Sequence, residues 1–179
     1  MSSRELDDPV LERRRLAALA QIRQYGDPVL RTPTIDITEF DETLREDVER
    51  MGAIMRDAAG VGLAAPQLGS LRRLAVLRSG EDGPVVALCN PRIVWRSEEE
   101  DVAEEGCLSL GDLVLEVARP VAVRVEAQDI TGRPVELEPE GWEARVIQHE
   151  VDHLDGVLIL DRAAPERRRE ALRALRNGS

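Results

Sequence analysis

Between Thr38 and Ala59 the apolar residues Phe40, Leu44, Val48, Met51, Ile54, Met55 and Ala58 recur every three or four positions. That spacing lines up one face of a helix. Thr38 or Asp41 can cap its start, and Gly60 stands where the residue beyond a helix end is often glycine. A charged stretch from about Leu11 to Ala20 predicts a shorter helix, and Tyr25-Gly26-Asp27-Pro28 predicts a turn. The period then changes. Leu74 to Leu77, Val85 to Leu88 and Ile93 to Trp95 are short apolar runs separated by turn residues, as strands are. Ser97 to Glu105 is acidic and predicts a solvated loop. Leu113 to Val117, Val121 to Ala127 and Pro134 to Leu137 resume the strand pattern, with Thr131-Gly132-Arg133 as a tight turn. A helix from about Trp142 to Leu154 ends at Gly156, and a charged helix from about Pro165 to Leu175 follows. Strands grouped between helices predict an α+β domain with a mixed or antiparallel sheet.

The chain has 179 residues, 42% of them hydrophobic, so one domain with an aliphatic core is the simplest organisation. Aromatic residues make up 2% and the net charge is −11, which argue against base-stacking platforms and phosphate-binding surfaces, hence against nucleic-acid readout. Met1 to Pro9 lacks the apolar run of a signal peptide, and no segment approaches the roughly 18 to 20 apolar residues that span a bilayer. A reducing cytoplasm is the expected setting, and the two cysteines, Cys89 and Cys107, are expected there as thiols.

Both histidines of the chain lie in Gln148-His149-Glu150-Val151-Asp152-His153-Leu154-Asp155-Gly156. At i and i+4 on a helix two imidazoles stack on one face and can grip one metal ion, while Glu150, about 100° further round, is free to act as acid or base. A catalytic metal usually takes three protein ligands. Asp155, Asp161 and Glu166 downstream can supply the third, and so can Cys107 in Glu105-Gly106-Cys107-Leu108-Ser109, beside a glycine that allows close approach. Cys89, in an apolar strand, fits an inert buried thiol. Gly60-Val61-Gly62-Leu63-Ala64-Ala65-Pro66-Gln67 matches neither a Walker loop nor the dinucleotide fingerprint. Gln67 can place a neutral donor at an oxyanion, yet taken alone this stretch reads as a structural turn.

Taken together and in this order, the stretches Gly60 to Gln67, Glu105 to Ser109 and Gln148 to Gly156 resemble the motifs of the bacterial peptide deformylase family. The likeness extends to Ile22-Arg23-Gln24-Tyr25-Gly26-Asp27-Pro28-Val29-Leu30-Arg31 and runs to about Asp161. It implies a catalytic unit over residues 22–161, a charged N-terminal extension over 1–21 and a charged C-terminal helix over 162–179. It implies that Cys107, His149 and His153 hold one divalent ion, Fe(II) in preference to Zn, Ni or Co, with one position left for water. It implies that Glu150 handles protons and that Gln67 and the Leu108 N–H hold the formyl oxygen. It implies that Gly62, with Gly60 and Val61 beside it, lines the substrate cleft. The implied substrate is the formyl-methionyl end of a nascent peptide, hydrolysed to release formate, and the arginines of the last helix allow a transient ribosome contact. The rival readings are a metallopeptidase of the His-Glu-x-x-His type and an inactive binder of acylated N-termini. One segment departs from the family: many members carry proline two residues after Ser109 and arginine a few residues later, where this chain reads Leu110-Gly111-Asp112-Leu113-Val114-Leu115.

Overall fold

The computed structural model describes residues 8–78 and 83–177. The first seven residues, most of the stretch read as lacking a signal peptide, lie outside it, as do the last two. In chain order the elements are α1 (Pro9–Leu19), α2 (Glu42–Asp57), β1 (Gly62–Ala64), β2 (Leu74–Arg78), β3 (Val85–Arg96), β4 (Glu100–Gly106), β5 (Val114–Pro120), β6 (Val123–Gln128), β7 (Pro134–Leu137), α3 (Gly141–Leu154), α4 (Ile159–Arg162) and α5 (Pro165–Asn177). The strands form a five-stranded sheet in the order β1-β2-β3-β6-β7 and a separate β4-β5 pair, and every pairing of named strands is antiparallel. The α+β architecture expected from the sequence is the one observed.

Local chemistry explains the helix starts. Asp8 caps α1 by accepting from the Val10 N–H, with Pro9 in the first turn. Asp41, not Thr38, caps α2 by accepting from the Leu44 N–H. The end of α2 differs from expectation. Ala59, at φ 57°, takes the left-handed position expected of Gly60. Gly60 is needed instead for room, because a Cβ there would lie 3.0 Å from Leu108.

Two strand assignments also change. The runs at 85–88 and 93–95 are one strand, β3, bent by a bulge between Cys89 and Arg92. Asn90 sits in the bulge at φ 54° and pins it with side-chain bonds to both backbone groups of Ile37 and to Gln128. The acidic segment 97–105 is not a loop. Residues 100–106 are β4, paired over its whole length with β5 from Glu100↔Pro120 to Gly106↔Val114. Of its side chains only Glu105 is buried and Ala103 half-buried, so β4 has no apolar face to betray it. It forms because β5 turns Leu115, Val117 and Arg119 inward and offers its backbone edge.

Helix α3 is buried on most of its circumference and packs against β1, β2, β3 and β5. One side, with Ala144, Ile147 and Val151, closes the core over Leu77, Leu88, Val123 and Val125. A second core joins α2 to the opposite part of the sheet through Leu44, Met51, Met55, Leu63 and Val76. A third gathers Leu30, Cys107, Leu115, Val117, Leu158 and Leu160 around the start of the C-terminal region. Gln148 fastens α3 to β5 by donating to the Pro120 carbonyl at 3.0 Å, a core role.

Gly156 ends α3 at φ 74°, and a Cβ there would stand 2.7 Å from the Arg31 carbonyl oxygen. Both the backbone and the space require glycine. Gly156→Ala is expected to lower stability by about 1–3 kcal/mol in urea unfolding. An unchanged midpoint would show that the residues around Arg31 yield freely.

Candidate metal centre

The metal-donor cluster is assembled from two elements. Helix α3 presents His149 and His153 one turn apart, with their rings 4.9 Å from centre to centre. Cys107 follows β4 directly in extended conformation, so the strand delivers its sulfur to the helix. Cys107 Sγ lies 3.3 Å from His153 Nε2. One donor atom from each of the three residues falls within 4.8 Å of the others. The carboxylates weighed as alternative ligands are occupied elsewhere. Asp155 pairs with Arg73 at 2.7 Å, Asp161 pairs with Arg31 and Arg168, and exposed Glu166 faces Arg169 on α5.

Glu105 sets the orientation of His149. Its carboxylate accepts from Arg119 through two bonds of 2.6 and 2.9 Å, from Arg145 at 2.8 Å and from His149 Nδ1 at 3.0 Å. Burial alone would push the Glu105 pKa up, but the bonds from His149 and Arg119 bring it down to about 2. A group so strongly ionised can only accept, so Nδ1 of His149 carries a proton toward it and Nε2 is the ring nitrogen left for a metal ion. Arg119 extends the network to Asp152 at 2.8 Å, and Asp152 binds Arg162 at 2.6 Å. His153 Nδ1 is buried and has no hydrogen-bond partner among the described residues.

Burial would also raise the Cys107 pKa. The charge of His153 and hydrogen bonds from both histidines outweigh it and lower the value to about 5. The donor set is therefore a thiolate and two imidazoles, suited to a divalent transition ion such as zinc or iron(II). Cys89 contrasts with it: fully buried, its thiol is pushed up to about 11 by burial and by Asp129. After chelation of metal, iodoacetamide is expected to modify Cys107, which lines an open cavity, and to spare Cys89. Mass spectrometry of the alkylated peptides reads the outcome, and equal labelling of both thiols would contradict it.

Glu150 is buried beside this cluster, and its Oε2 has no partner among the described residues. Desolvation raises its pKa above the usual carboxylate range, although the histidines oppose the shift. Gly62 makes the position possible: a Cβ at residue 62 would stand 2.2 Å from Glu150 Oε1. The stretch read as a structural turn is in fact β1 followed by a tight 3₁₀ turn at Ala65–Leu68. That turn carries Gln67 inward, where Nε2 lies 3.9 Å from Cys107 Sγ. Leu108 opens another such turn, Leu108–Leu110, and the N–H of a first helical residue has no partner within its own helix. These groups line a cavity of about 540 Å³, together with Gly60, Val61 and Trp142.

The structure places the ligand triad, Glu150, Gln67 and Leu108 close together. Sequence reasoning does not single out Arg119, Arg145, Asp152 and Arg162, nor the part Glu105 plays within its motif. The signal for Arg119 is an arginine in phase with Leu115 and Val117 on the inward face of β5, where a buried charge requires partners. The segment 110–115 has a backbone of its own kind at Gly111. Gly111 has φ 61°, which proline cannot adopt, and Val114 is exposed.

The comparisons with known proteins agree with this geometry. Residues 19–169 match the family model described as polypeptide deformylase. The chain is 49% identical over 148 residues to a peptide deformylase of Thermotoga neapolitana, covering 83% of this chain and 89% of that one. It is 45% identical over 159 residues to one from Acidothermus cellulolyticus, covering 89% and 87%. The crystal structure of peptide deformylase from Thermotoga maritima superposes with TM-score 0.78 and 48% identity, over 80% of this chain and 97% of that one. The enzyme of Synechococcus elongatus, solved in complex with actinonin, gives TM-score 0.81 and 39% identity over 86% and 85%. With a thiolate from a strand end, two imidazoles from one helical turn and matches that span most of its length, this chain belongs to the polypeptide deformylase family.

Proposed function

We propose that this protein hydrolyses the N-formyl group from the N-terminal formylmethionine of nascent polypeptides, releasing formate, with one divalent ion held by Cys107, His149 and His153. The observation that carries the reading is the convergence of these three donors beside buried Glu150, whose Oε2 has no partner among the described residues. A divalent ion held there would act as a Lewis acid, polarising the formyl oxygen and lowering the pKa of water. Glu150 takes the proton that water loses as its oxygen bonds to the formyl carbon. Negative charge then develops on the formyl oxygen, where Gln67 Nε2 and the Leu108 N–H donate to it. Glu150 returns the proton to nitrogen as the carbon–nitrogen bond breaks, because an amine leaves poorly unless protonated. The products are formate and a free N-terminal amine.

Gly60, Val61 and Gly62 form one wall of the cavity and are assigned to the peptide. Residues 22–161 are assigned as the catalytic unit. The family resemblance favours Fe(II), and a Cys-His-His set also accepts Zn, Ni or Co. The cytoplasm, where nascent chains emerge, is the proposed setting; both cysteines are free, and among the described residues no helix is long and apolar enough to cross a membrane. The exposed arginines of α5 offer a transient contact to the ribosome, although Arg167, Arg168 and Arg169 already face carboxylates.

The test is formate release from formyl-Met-Ala-Ser by anaerobically purified protein, paired with metal analysis. Turnover that disappears on chelation and returns with Fe(II) is expected. Metal-loaded protein that binds the peptide without releasing formate would be a binder, and cleavage of internal peptide bonds would make it a metallopeptidase.

A further inference from the structure

The Gln67 amide is anchored at both ends. Its Oε1 accepts from the Ala64 N–H at 2.9 Å. A backbone N–H can only donate, so the amide atom facing it is oxygen, and this fixes which way round the amide lies. Nε2 then faces Ser109 Oγ at 3.1 Å. Ser109 is fully buried, closes the Glu105–Ser109 motif and has no role in the chemistry derived above. An amide NH₂ is planar, with its two N–H bonds about 120° apart. Once one proton is given to Ser109 and the oxygen is held by Ala64, the plane is set and the second proton is turned to the metal-donor side, where Cys107 Sγ lies 3.9 Å from Nε2.

The backbone supports the same arrangement. The Arg23 N–H donates to the Gln67 carbonyl at 2.7 Å, and the Tyr25 N–H donates to the Ser109 carbonyl at 2.8 Å. Between them Gln24 Nε2 donates to the Leu108 carbonyl at 3.2 Å. Residues 23–25 thus tie the turn that carries Gln67 to the turn that carries Leu108 and Ser109. The side-chain donor and the backbone donor share one frame.

We propose that Ser109 is a positioning residue for deformylation: its hydroxyl, by accepting one Gln67 N–H, aims the other at the place of the formyl oxygen. The proposal rests on the reading of Gln67 as an oxyanion donor. Ser109 itself does not touch the substrate. Losing the hydroxyl leaves Gln67 held through Oε1 and the long Nε2 contact to Cys107 Sγ, and its NH₂ can then swing out of line.

The experiment is a double-mutant cycle on metal-loaded enzyme, scored by kcat and KM for formyl-Met-Ala-Ser. Ser109→Ala is expected to lower kcat about tenfold, the scale of one hydrogen bond. KM should stay within about twofold and bound metal should be unchanged, since a group acting only in the transition state leaves ground-state binding alone. Gln67→Met should lose on the order of 10²–10³ in kcat. The double variant should be no slower than Gln67→Met, because Ser109 acts only through that amide. Ser109→Thr, which keeps the hydroxyl, should recover most of the rate and guards against a poorly folded alanine variant. In the folded protein, nitrogen-15 spectra should show one Gln67 side-chain proton protected from exchange, with that protection lost in Ser109→Ala. Losses that multiply in the double variant overturn Ser109 as a positioning residue while leaving Gln67 its role. An undiminished Gln67→Met enzyme overturns both.

Discussion

Glu150→Gln is expected to lower kcat by about 10²–10⁴, the range for loss of a general acid–base group, without loss of metal. The substitution is nearly isosteric, so the packing of α3 should survive it. Bound metal should also survive, because the three donors are Cys107, His149 and His153, and Glu150 is not one of them. What the amide cannot do is accept a proton from water and pass it on. Burial makes this carboxylate a stronger base than one in solvent, since desolvation raises its pKa. Its Oε2 is held by no other described side chain, so the lone pairs stay available at the cavity. The measurement is formate release alongside the metal-to-protein ratio. Near-normal turnover in the variant would take Glu150 out of the chemistry, whereas loss of metal along with activity would give it a structural part in the centre.

Much of the site was legible because its chemistry is local in sequence. The pair His149 and His153 needs one helical turn, and α3 has the apolar period that supplies it. The cysteine motif announced itself through a neighbouring glycine. What holds these groups in place was not legible, because it depends on contacts far apart in the chain. Glu105 reaches His149 across 44 positions, and Arg119 is set by the register of β5 on β4. That register could not be foreseen while β4 passed for a solvated loop. A strand whose outward residues are Glu100, Val102, Glu104 and Gly106 carries no hydrophobic alternation, and only its partner reveals it. The bulge at Asn90 hid the length of β3 in the same way, by interrupting an apolar pattern without interrupting the strand. The three carboxylates downstream of His153 illustrate the converse. Spacing allowed them as ligands, but Asp155 and Asp161 are drawn off by arginines brought in from residues 73 and 31.

Gly62→Ala is expected to cost on the order of 10² in kcat, the scale of a displacement of about 1 Å at a reacting group. The added methyl carbon would sit 2.2 Å from Oε1, 2.7 Å from Cδ and 2.9 Å from Cγ of Glu150, so something must move. Gly62 is not among the residues with positive φ, and alanine suits its backbone. The conflict is therefore purely one of space. Strand β1 cannot retreat easily: Gly62 pairs with Leu77, and the next two residues, Leu63 and Ala64, are fully buried. The carboxylate must turn instead, away from the cavity it serves. Because the methyl acts through Glu150, combining Gly62→Ala with Glu150→Gln should be no slower than Glu150→Gln alone. A combined loss equal to the product of the two would mean that the methyl obstructs the peptide rather than the carboxylate. Activity within about twofold of the parent would mean that β1 gives way, since such a small change is far below the cost of misplacing a reacting group.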